Sequence, residues 1–207
     1  MEHDLPNYLP SPARRTPTQE FDYQELVADK KFHAVVEEHR RGGLFDGIKE
    51  GTPEHNAKLK EIALAFVRVA NEKRATLFRN RGIMNGRNGS FREAISCYNR
   101  ALELSGNSPS RHVTLANRAA AYIKTQKYPE ALRDGREAVY LCADYAIAHA
   151  LIGYCHSRLG SVKDAIVSYK VALQLNPTDL ASQDLLEEAR RALLSSGETL
   201  EAIEALE

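Results

Sequence analysis

Three stretches of the chain repeat one pattern, FREAISCYNRALEL at 91–104, YPEALRDGREAVYL at 128–141 and VKDAIVSYKVALQL at 162–175. One alanine of the pattern recurs after 37 and then after 34 residues, at Ala94, Ala131 and Ala165. The longer first interval fits an insertion of three residues at Ser108-Pro109-Ser110. Apolar residues follow helical spacing in each copy, and a period of about 34 residues is typical of helical repeat proteins. The pattern therefore predicts a stack of helix pairs.

A partner segment with helical spacing precedes each copy. It carries a small residue at the matching place, namely Gly82, Ala119 and Gly153. Since a small residue lets two helices approach closely, we predict that it marks the contact within each pair.

These residues resemble the tetratricopeptide repeat, whose pattern has small residues in the first helix, alanines in the second and a closing proline. The copies start at Ala75, His112 and Ala146, and Pro177 closes the third. They span 75–108, 112–145 and 146–179. The resemblance implies an all-α fold, a right-handed solenoid of three helix-turn-helix repeats.

One departure from the family pattern is Gly135, at a place where the other two copies have tyrosine. Glycine inside a helix costs about 1 kcal/mol relative to alanine. We therefore predict that the second repeat is the least stable.

The repeats with their cap are expected over 71–194. A polar-faced helix is needed at the open end of a repeat stack, and the stretch from Thr178 to Leu194 fits it. Its apolar stripe consists of Leu185, Leu186, Ala189, Leu193 and Leu194. The remaining residues, 195–207, form an acidic tail.

The region before the repeats has another composition. Residues 1–20 hold four prolines and predict a flexible arm. Two helices are predicted within 21–70, one over 22–41 that stops at Gly42-Gly43, and one that begins after an N-cap at Thr52. We expect these helices to cap the solenoid, to dimerise or to fill its groove, and the pattern does not choose among these roles.

Composition excludes several classes of protein. The formal net charge is zero, which argues against a nucleic-acid partner, and there is no apolar run long enough to span a membrane. Three cysteines, an odd number, predict free thiols in a reducing compartment, the cytoplasm or the nucleus.

Residues 71–177 hold 16 basic and 8 acidic side chains, whereas 178–207 hold 2 and 8. This asymmetry fits either solvated helix faces or an acidic tail that screens a basic surface.

In the tetratricopeptide family the first helix of each pair lines a concave groove that binds peptides. The resemblance implies a peptide-binding groove made of Thr76, Arg79, Asn80, Ile83, Arg87, Val113, Asn117, Ala120, Lys124, Ile147, Leu151, Tyr154 and Arg158.

Co-chaperones of this family hold the Glu-Glu-Val-Asp tails of heat-shock chaperones in a clamp of five polar residues. Arg79 and Asn117 match that clamp, but its other three positions are apolar here, at Ile83, Ile147 and Leu151. Because two lost cations would leave the bound carboxylate unpaired, we predict weak or no binding of such tails.

The same three substitutions predict an apolar patch flanked by basic side chains. Such a groove suits a peptide or helix with apolar anchors and acidic flanks. The tail ETLEAIEALE at 198–207 and the first predicted helix both fit that description, so occupation of the groove by the chain itself stays an alternative.

Residues that suggest chemistry have simpler explanations. Cys142, His149, Cys155 and His156 are spaced across one turn and one helix, which disfavours a metal site. The glycines of RNRGIMNGRNG at 79–89 lack the order of a phosphate-binding loop. We therefore predict no metal, no cofactor and no enzymatic activity.

The sequence thus predicts a protein–protein interaction module, an adaptor or co-chaperone-like scaffold. It resembles the small glutamine-rich co-chaperones at 97–104, 117–122 and 169–177, and RGGL at 41–44 resembles their dimerisation segment. That likeness implies a homodimer through the N-terminal helices. The alternative is a structural subunit whose repeats are permanently buried in a larger assembly.

Overall fold

The computed structural model describes residues 26, 29–197 and 199, and within them eight α-helices and no strand. The helices are α1 (Lys30–Arg41), α2 (Pro53–Arg87), α3 (Phe91–Ser105), α4 (Arg111–Lys124), α5 (Tyr128–Leu141), α6 (Ala146–Arg158), α7 (Val162–Leu175) and α8 (Leu180–Ser195). The chain divides into two compact units, Met1–Arg74 and Ala75–Glu207. The predicted arm at 1–20 and most of the predicted tail lie outside the described residues.

In the first unit, the helix predicted over 22–41 is not continuous. The prediction is wrong at Asp29, which is extended and serves as the N-cap of α1. Its Oδ1 accepts a hydrogen bond from the Lys31 backbone N–H at 2.6 Å, a capping bond that competes with a continuous helix. At the other end, Gly42 follows α1 and Gly43 has a φ of +83°, so the two glycines end the helix as predicted.

Helix α2 begins at the expected cap and continues well past residue 70. The His55 backbone N–H donates to Thr52 Oγ1 at 3.3 Å. The apolar stripe of α2 packs against α1, where the Phe32 and Phe66 rings meet edge to face with centroids 5.7 Å apart. The core of this unit consists of Leu26, Phe32, Val36, Phe45, Ile62 and Ala63.

The second unit is a tetratricopeptide solenoid, which confirms the predicted fold class. Each helix from α3 to α8 packs against the next, and α4 also packs against α6. This order is that of helix pairs stacked side by side, with first helices of successive pairs as neighbours.

The outer two repeats bring their helices together over glycine. A Cβ atom at Gly82 would lie 2.5 Å from the Tyr98 ring, and one at Gly153 would lie 2.7 Å from the Tyr169 ring. Both tyrosines are buried. The small residue predicted at the helix contact is therefore required there, because any side chain would collide with the aromatic ring.

The middle repeat is built differently. Ala119 takes the place of the glycine, and Gly135 takes the place of the tyrosine. Gly135 is buried beneath the next repeat, since a Cβ there would lie 2.9 Å from Ile152 Cγ1. Beside it, the fully buried Asp134 accepts two hydrogen bonds from Arg118, at 2.6 Å from Nε and 2.8 Å from Nη2.

Helix α8 caps the stack. Its buried face packs against α7 in a cluster of Ala165, Ile166, Tyr169, Leu186, Ala189 and Leu193. Leu194 was predicted to belong to the same stripe, but it is 41% exposed. It follows Leu193 by one residue, so the rotation of about 100° per residue turns it away from α7.

Candidate peptide-binding groove

The thirteen predicted groove residues lie on α2, α4 and α6, the first helices of the three repeats. None of them is fully buried. Six are exposed, namely Asn80, Arg87, Ala120, Lys124, Ile147 and Arg158. Seven are half-buried, namely Thr76, Arg79, Ile83, Val113, Asn117, Leu151 and Tyr154. Their side chains thus remain at least partly available for contact.

The apolar patch predicted from the clamp substitutions is only partly free. Ile83 packs against a core cluster that contains Tyr98, and Leu151 packs against one that contains Cys155. Ile147, in contrast, is 56% exposed on the first turn of α6. Ile147 is therefore the most exposed of the large apolar side chains among the thirteen predicted groove residues.

At the first repeat, Arg79 is held by the insertion. Its Nη1 donates to Ser110 Oγ at 2.9 Å, and both residues are half-buried. Arg79 is the residue that matches the first cation of the family clamp. Arg79 was predicted to lie in the groove, whereas Ser110 was not, although the 37-residue interval indicated the loop that carries it.

At the third repeat, Arg158 is also engaged. Its guanidinium carbon lies 5.6 Å from the centroid of the Tyr128 ring, a cation–π distance. A hydrogen bond with Tyr128 is the main factor that raises the pKa of Arg158 above its ordinary value. Arg158 is thus a fixed positive charge with an aromatic neighbour that the sequence analysis did not assign to the groove.

Thiols and imidazoles near the groove serve the packing. Cys155 is fully buried, and burial raises the pKa of its thiol to about 11, so the thiol is protonated at neutral pH. His149 lies within 2.9 Å of the Ala143 carbonyl oxygen. In the described part of the chain, no three His, Cys, Asp or Glu side chains are grouped closely enough to hold a metal ion.

A polar cavity of about 450 Å³ opens between α3 and α4. It is lined by Asn99, Leu102, Glu103, Arg111, Arg118 and Tyr122. Its two arginines are already engaged, Arg118 with Asp134 and Arg111 with Glu137 at 3.1 Å. The cavity therefore belongs to the contact between the first two repeats, and sequence spacing gave no signal for it.

No helix among residues 26, 29–197 and 199 combines the length and the apolar character needed to cross a membrane.

The geometry and the comparison with known proteins agree on the class of domain. Residues 146–179 match the family model described as Tetratricopeptide repeat. The second unit is thus a tetratricopeptide-repeat domain, as the repeated pattern predicted.

Among curated proteins, the chain is 30% identical over 122 residues to the Protein STIP1 homolog of Dictyostelium discoideum, covering 59% of this chain and 21% of that protein. It is 26% identical over 172 residues to the small glutamine-rich tetratricopeptide repeat-containing protein of the same organism, covering 83% of this chain and 49% of that protein. The predicted resemblance to that group is confirmed. The chain spans about a fifth of the length of the first curated relatives it matches.

Two similar solved structures contain a bound peptide. One is the first TPR of Spaghetti (RPAP3) bound to the HSP90 peptide SRMEEVD, with a TM-score of 0.56, 27% identity, and coverage of 59% of this chain and 95% of that one. The other is the second TPR domain of human RPAP3 in complex with the HSP70 peptide SGPTIEEVD, with a TM-score of 0.54, 30% identity, and coverage of 58% and 98%. Similar domains thus bind peptides.

Proposed function

We propose that this chain is a non-catalytic adaptor or co-chaperone-like scaffold whose second unit binds a peptide segment in its groove. The observation that carries the proposal is the row of exposed and half-buried side chains on the first helices of the three repeats, in a fold whose relatives bind peptides. The alternative, a subunit with permanently buried repeats, is less favoured because two similar domains have been solved with bound peptides.

The ligand we propose is a peptide or helix with apolar anchors and acidic flanks. Ile147 offers an apolar contact at the third repeat, while Arg87, Lys124 and Arg158 place exposed positive charge along the same helices. An acidic flank gains charge-assisted contacts with such a rim, and an apolar anchor gains by leaving water.

The first experiment compares partners captured from cell lysate by the wild-type chain and by Ile147→Asp. The structure argues against adding Leu151→Asp, because Leu151 packs against a core cluster and a charge there would destabilise the fold. The matched control is Tyr140→Asp, since Tyr140 is 88% exposed on α5, a second helix.

Partners lost with Ile147→Asp and kept with Tyr140→Asp would support the groove as the binding surface. Partners kept by both variants, with both folded by circular dichroism, would place binding elsewhere and overturn the assigned site residues.

We further propose that heat-shock tails ending in Glu-Glu-Val-Asp bind weakly or not at all. In the clamp position of a cation, Ile147 offers no charge to the terminal carboxylates. The test is fluorescence anisotropy with SRMEEVD and with SGPTIEEVD. Ile147→Lys restores one cation, and we expect it to raise the affinity for both peptides by about tenfold, the effect of one added charge-assisted hydrogen bond. Tight binding by the wild type would contradict the proposal.

The remaining proposals concern the whole chain. We propose residence in the cytoplasm or nucleus, no nucleic-acid or membrane partner, and a homodimer through the N-terminal helices. Sedimentation equilibrium of the full chain and of a chain with Arg41-Gly42-Gly43-Leu44 replaced by alanines tests the dimer. A monomer at all concentrations for the wild type would exclude it.

A further inference from the structure

The insertion that separates the first two repeats reaches the groove. Ser110 Oγ accepts the hydrogen bond from Arg79 Nη1 at 2.9 Å, across 31 positions of sequence. In the other two repeats, the position of Arg79 is occupied by Ala116 and Ala150, whose side chains have no hydrogen-bond donor. A hydrogen bond of this kind is therefore found only in the first repeat, next to the three inserted loop residues.

Ser110 is in turn hydrogen-bonded to Ser108. Ser108 Oγ lies 3.1 Å from Ser110 Oγ and accepts from the Ser110 backbone N–H at 3.3 Å. Because the guanidinium of Arg79 can only donate, the Ser110 hydroxyl accepts from it and can direct its own proton to Ser108.

The loop itself is firmly held. The Ser108 backbone N–H donates to the Ser105 carbonyl oxygen at 2.8 Å, and the Arg111 N–H donates to the Ser108 carbonyl oxygen at 3.0 Å. Pro109 adds a fixed φ between the two serines. Ser110 is thus an anchored acceptor rather than a passing contact.

The Ser110 hydroxyl does not cap its own helix and is therefore available to Arg79. Ser110 is the N-cap of α4, where a serine hydroxyl normally accepts from the first-turn N–H groups, yet its side chain makes no capping bond. Ser90 and Ser161, the N-caps of α3 and α7, make no capping bond either, so what sets Ser110 apart is its hydrogen bond from Arg79.

We infer that Ser110 is a positioning residue of the groove, which fixes the Arg79 guanidinium and so gives the first-repeat end its preference for a carboxylate in the bound peptide. This inference rests on the proposed peptide-binding function. One anchored donor of the guanidinium leaves the others pointing in a defined direction, which saves the entropy of ordering a long side chain upon binding.

The experiment starts with selection of a random-peptide phage library on the immobilised full chain. The best selected peptide is then synthesised in two forms, with its acidic residues as Glu or as Gln. Fluorescence anisotropy gives the Kd of each form, and the ratio of the two measures the carboxylate preference.

We expect the wild type to prefer the Glu form by about tenfold and Ser110→Ala to reduce that ratio to about two, the loss of one oriented charge-assisted contact. Ser110→Thr keeps the hydroxyl and should restore the ratio. Ser161→Ala is the matched control, because Ser161 is the N-cap of α7 and likewise makes no capping bond. Thermal unfolding by circular dichroism checks that each variant is folded.

A merely structural role for Ser110 would weaken the Glu and Gln forms equally, and that result would overturn the inference. An unchanged ratio of the two Kd values in Ser110→Ala would also overturn the inference, as would a wild-type chain that binds both forms equally well. The proposed peptide-binding function would remain supported in both cases. A wild type that enriches no peptide would overturn the proposed function and this inference together.

Discussion

The outer repeats and the middle repeat share one sequence pattern but join their helices by different physical means. In the first and third repeats, a glycine lets a buried tyrosine ring lie against the helix backbone, at Gly82 with Tyr98 and at Gly153 with Tyr169. In the middle repeat, the ion pair of Arg118 and Asp134 joins α4 and α5.

A repeat can thus lack the buried aromatic residue if another interaction joins its two helices. Gly135 leaves space where the tyrosine would be, and Ile152 of the third repeat fills that space. The middle repeat therefore adds a polar bond to the apolar packing within its pair, where Ala119 and Ala131 share a buried cluster, and its neighbour fills the space at Gly135.

The largest loss of folding stability is expected from Asp134→Ala. Asp134 is fully buried and only 15% of the Arg118 side chain is exposed, so the variant leaves a cation without its partner in the interior. We expect a loss of about 3–5 kcal/mol in the free energy of unfolding, measured by urea denaturation.

Glu103→Ala is the control for Asp134→Ala, because it breaks the more exposed pair with Arg100 and should cost less than about 1 kcal/mol. Replacing Arg118 and Asp134 together by leucine should recover much of the loss, since no charge is then stranded. A cost of Asp134→Ala no larger than the control's would mean that the pair does not hold the repeat.

The second largest change in folding stability is expected in the outer repeats. In Gly82→Ala the new methyl group would lie 2.5 Å from the Tyr98 ring, so we expect a loss of about 1–3 kcal/mol from overpacking. Gly86 lies on the same helix with open space at its Cβ, so Gly86→Ala should instead stabilise by about 1 kcal/mol through helix propensity. Equal effects at both positions would show that propensity alone, and not the contact with tyrosine, governs these glycines.

A smaller effect is expected at Gly135. The gain in helix propensity from Gly135→Ala, about 1 kcal/mol, is offset by the contact with Ile152, so we expect a net change of less than about 1 kcal/mol. With Ile152→Ala as background, the same change should be stabilising, because the conflicting side chain is gone. Stabilisation by Gly135→Ala alone would support the prediction that this glycine weakens the middle repeat.

The smallest effect is a dependence of stability on pH where the third repeat meets the middle one. Burial lowers the pKa of His156 below its ordinary 6.5, against the opposing effect of Asp164. The unfolded chain then binds the proton more readily than the folded chain, so stability falls as the pH drops below the ordinary value.

Thermal unfolding at about pH 7.5 and about pH 5 measures this dependence. His156→Gln should reduce the loss of Tm on acidification, whereas the same change at the exposed His33 is the control. An identical loss in the wild type and in His156→Gln would rule out this histidine as a source of the acid sensitivity.

Much of the fold follows from local patterns. The helix pairs of the second unit follow from the repeat of about 34 residues, since each copy specifies the same pair and its packing. The caps at Thr52 and at Gly42-Gly43 were equally predictable, because capping depends on residues next to each other. The start of α1 could not be predicted, because Asp29 lies within an otherwise helical pattern and the choice between a cap and a continuous helix depends on tertiary packing.

The candidate groove was likewise only partly predictable from the sequence. Family resemblance assigns its residues to three helices, but it does not tell which side chains are free. Ile83 and Leu151 are partly taken up by core clusters, whereas Ile147 remains open.

The three stacked helix pairs and their apolar faces follow from the sequence alone, because periodicity and small residues at fixed places encode packing within a repeat. Three contacts are visible only in the folded chain: Arg118 pairs with Asp134, Ile152 fills the space at Gly135, and Ser110 accepts a hydrogen bond from Arg79. These contacts join residues 16, 17 and 31 positions apart through side-chain reach and loop path, and neither quantity is expressed in the repeat pattern.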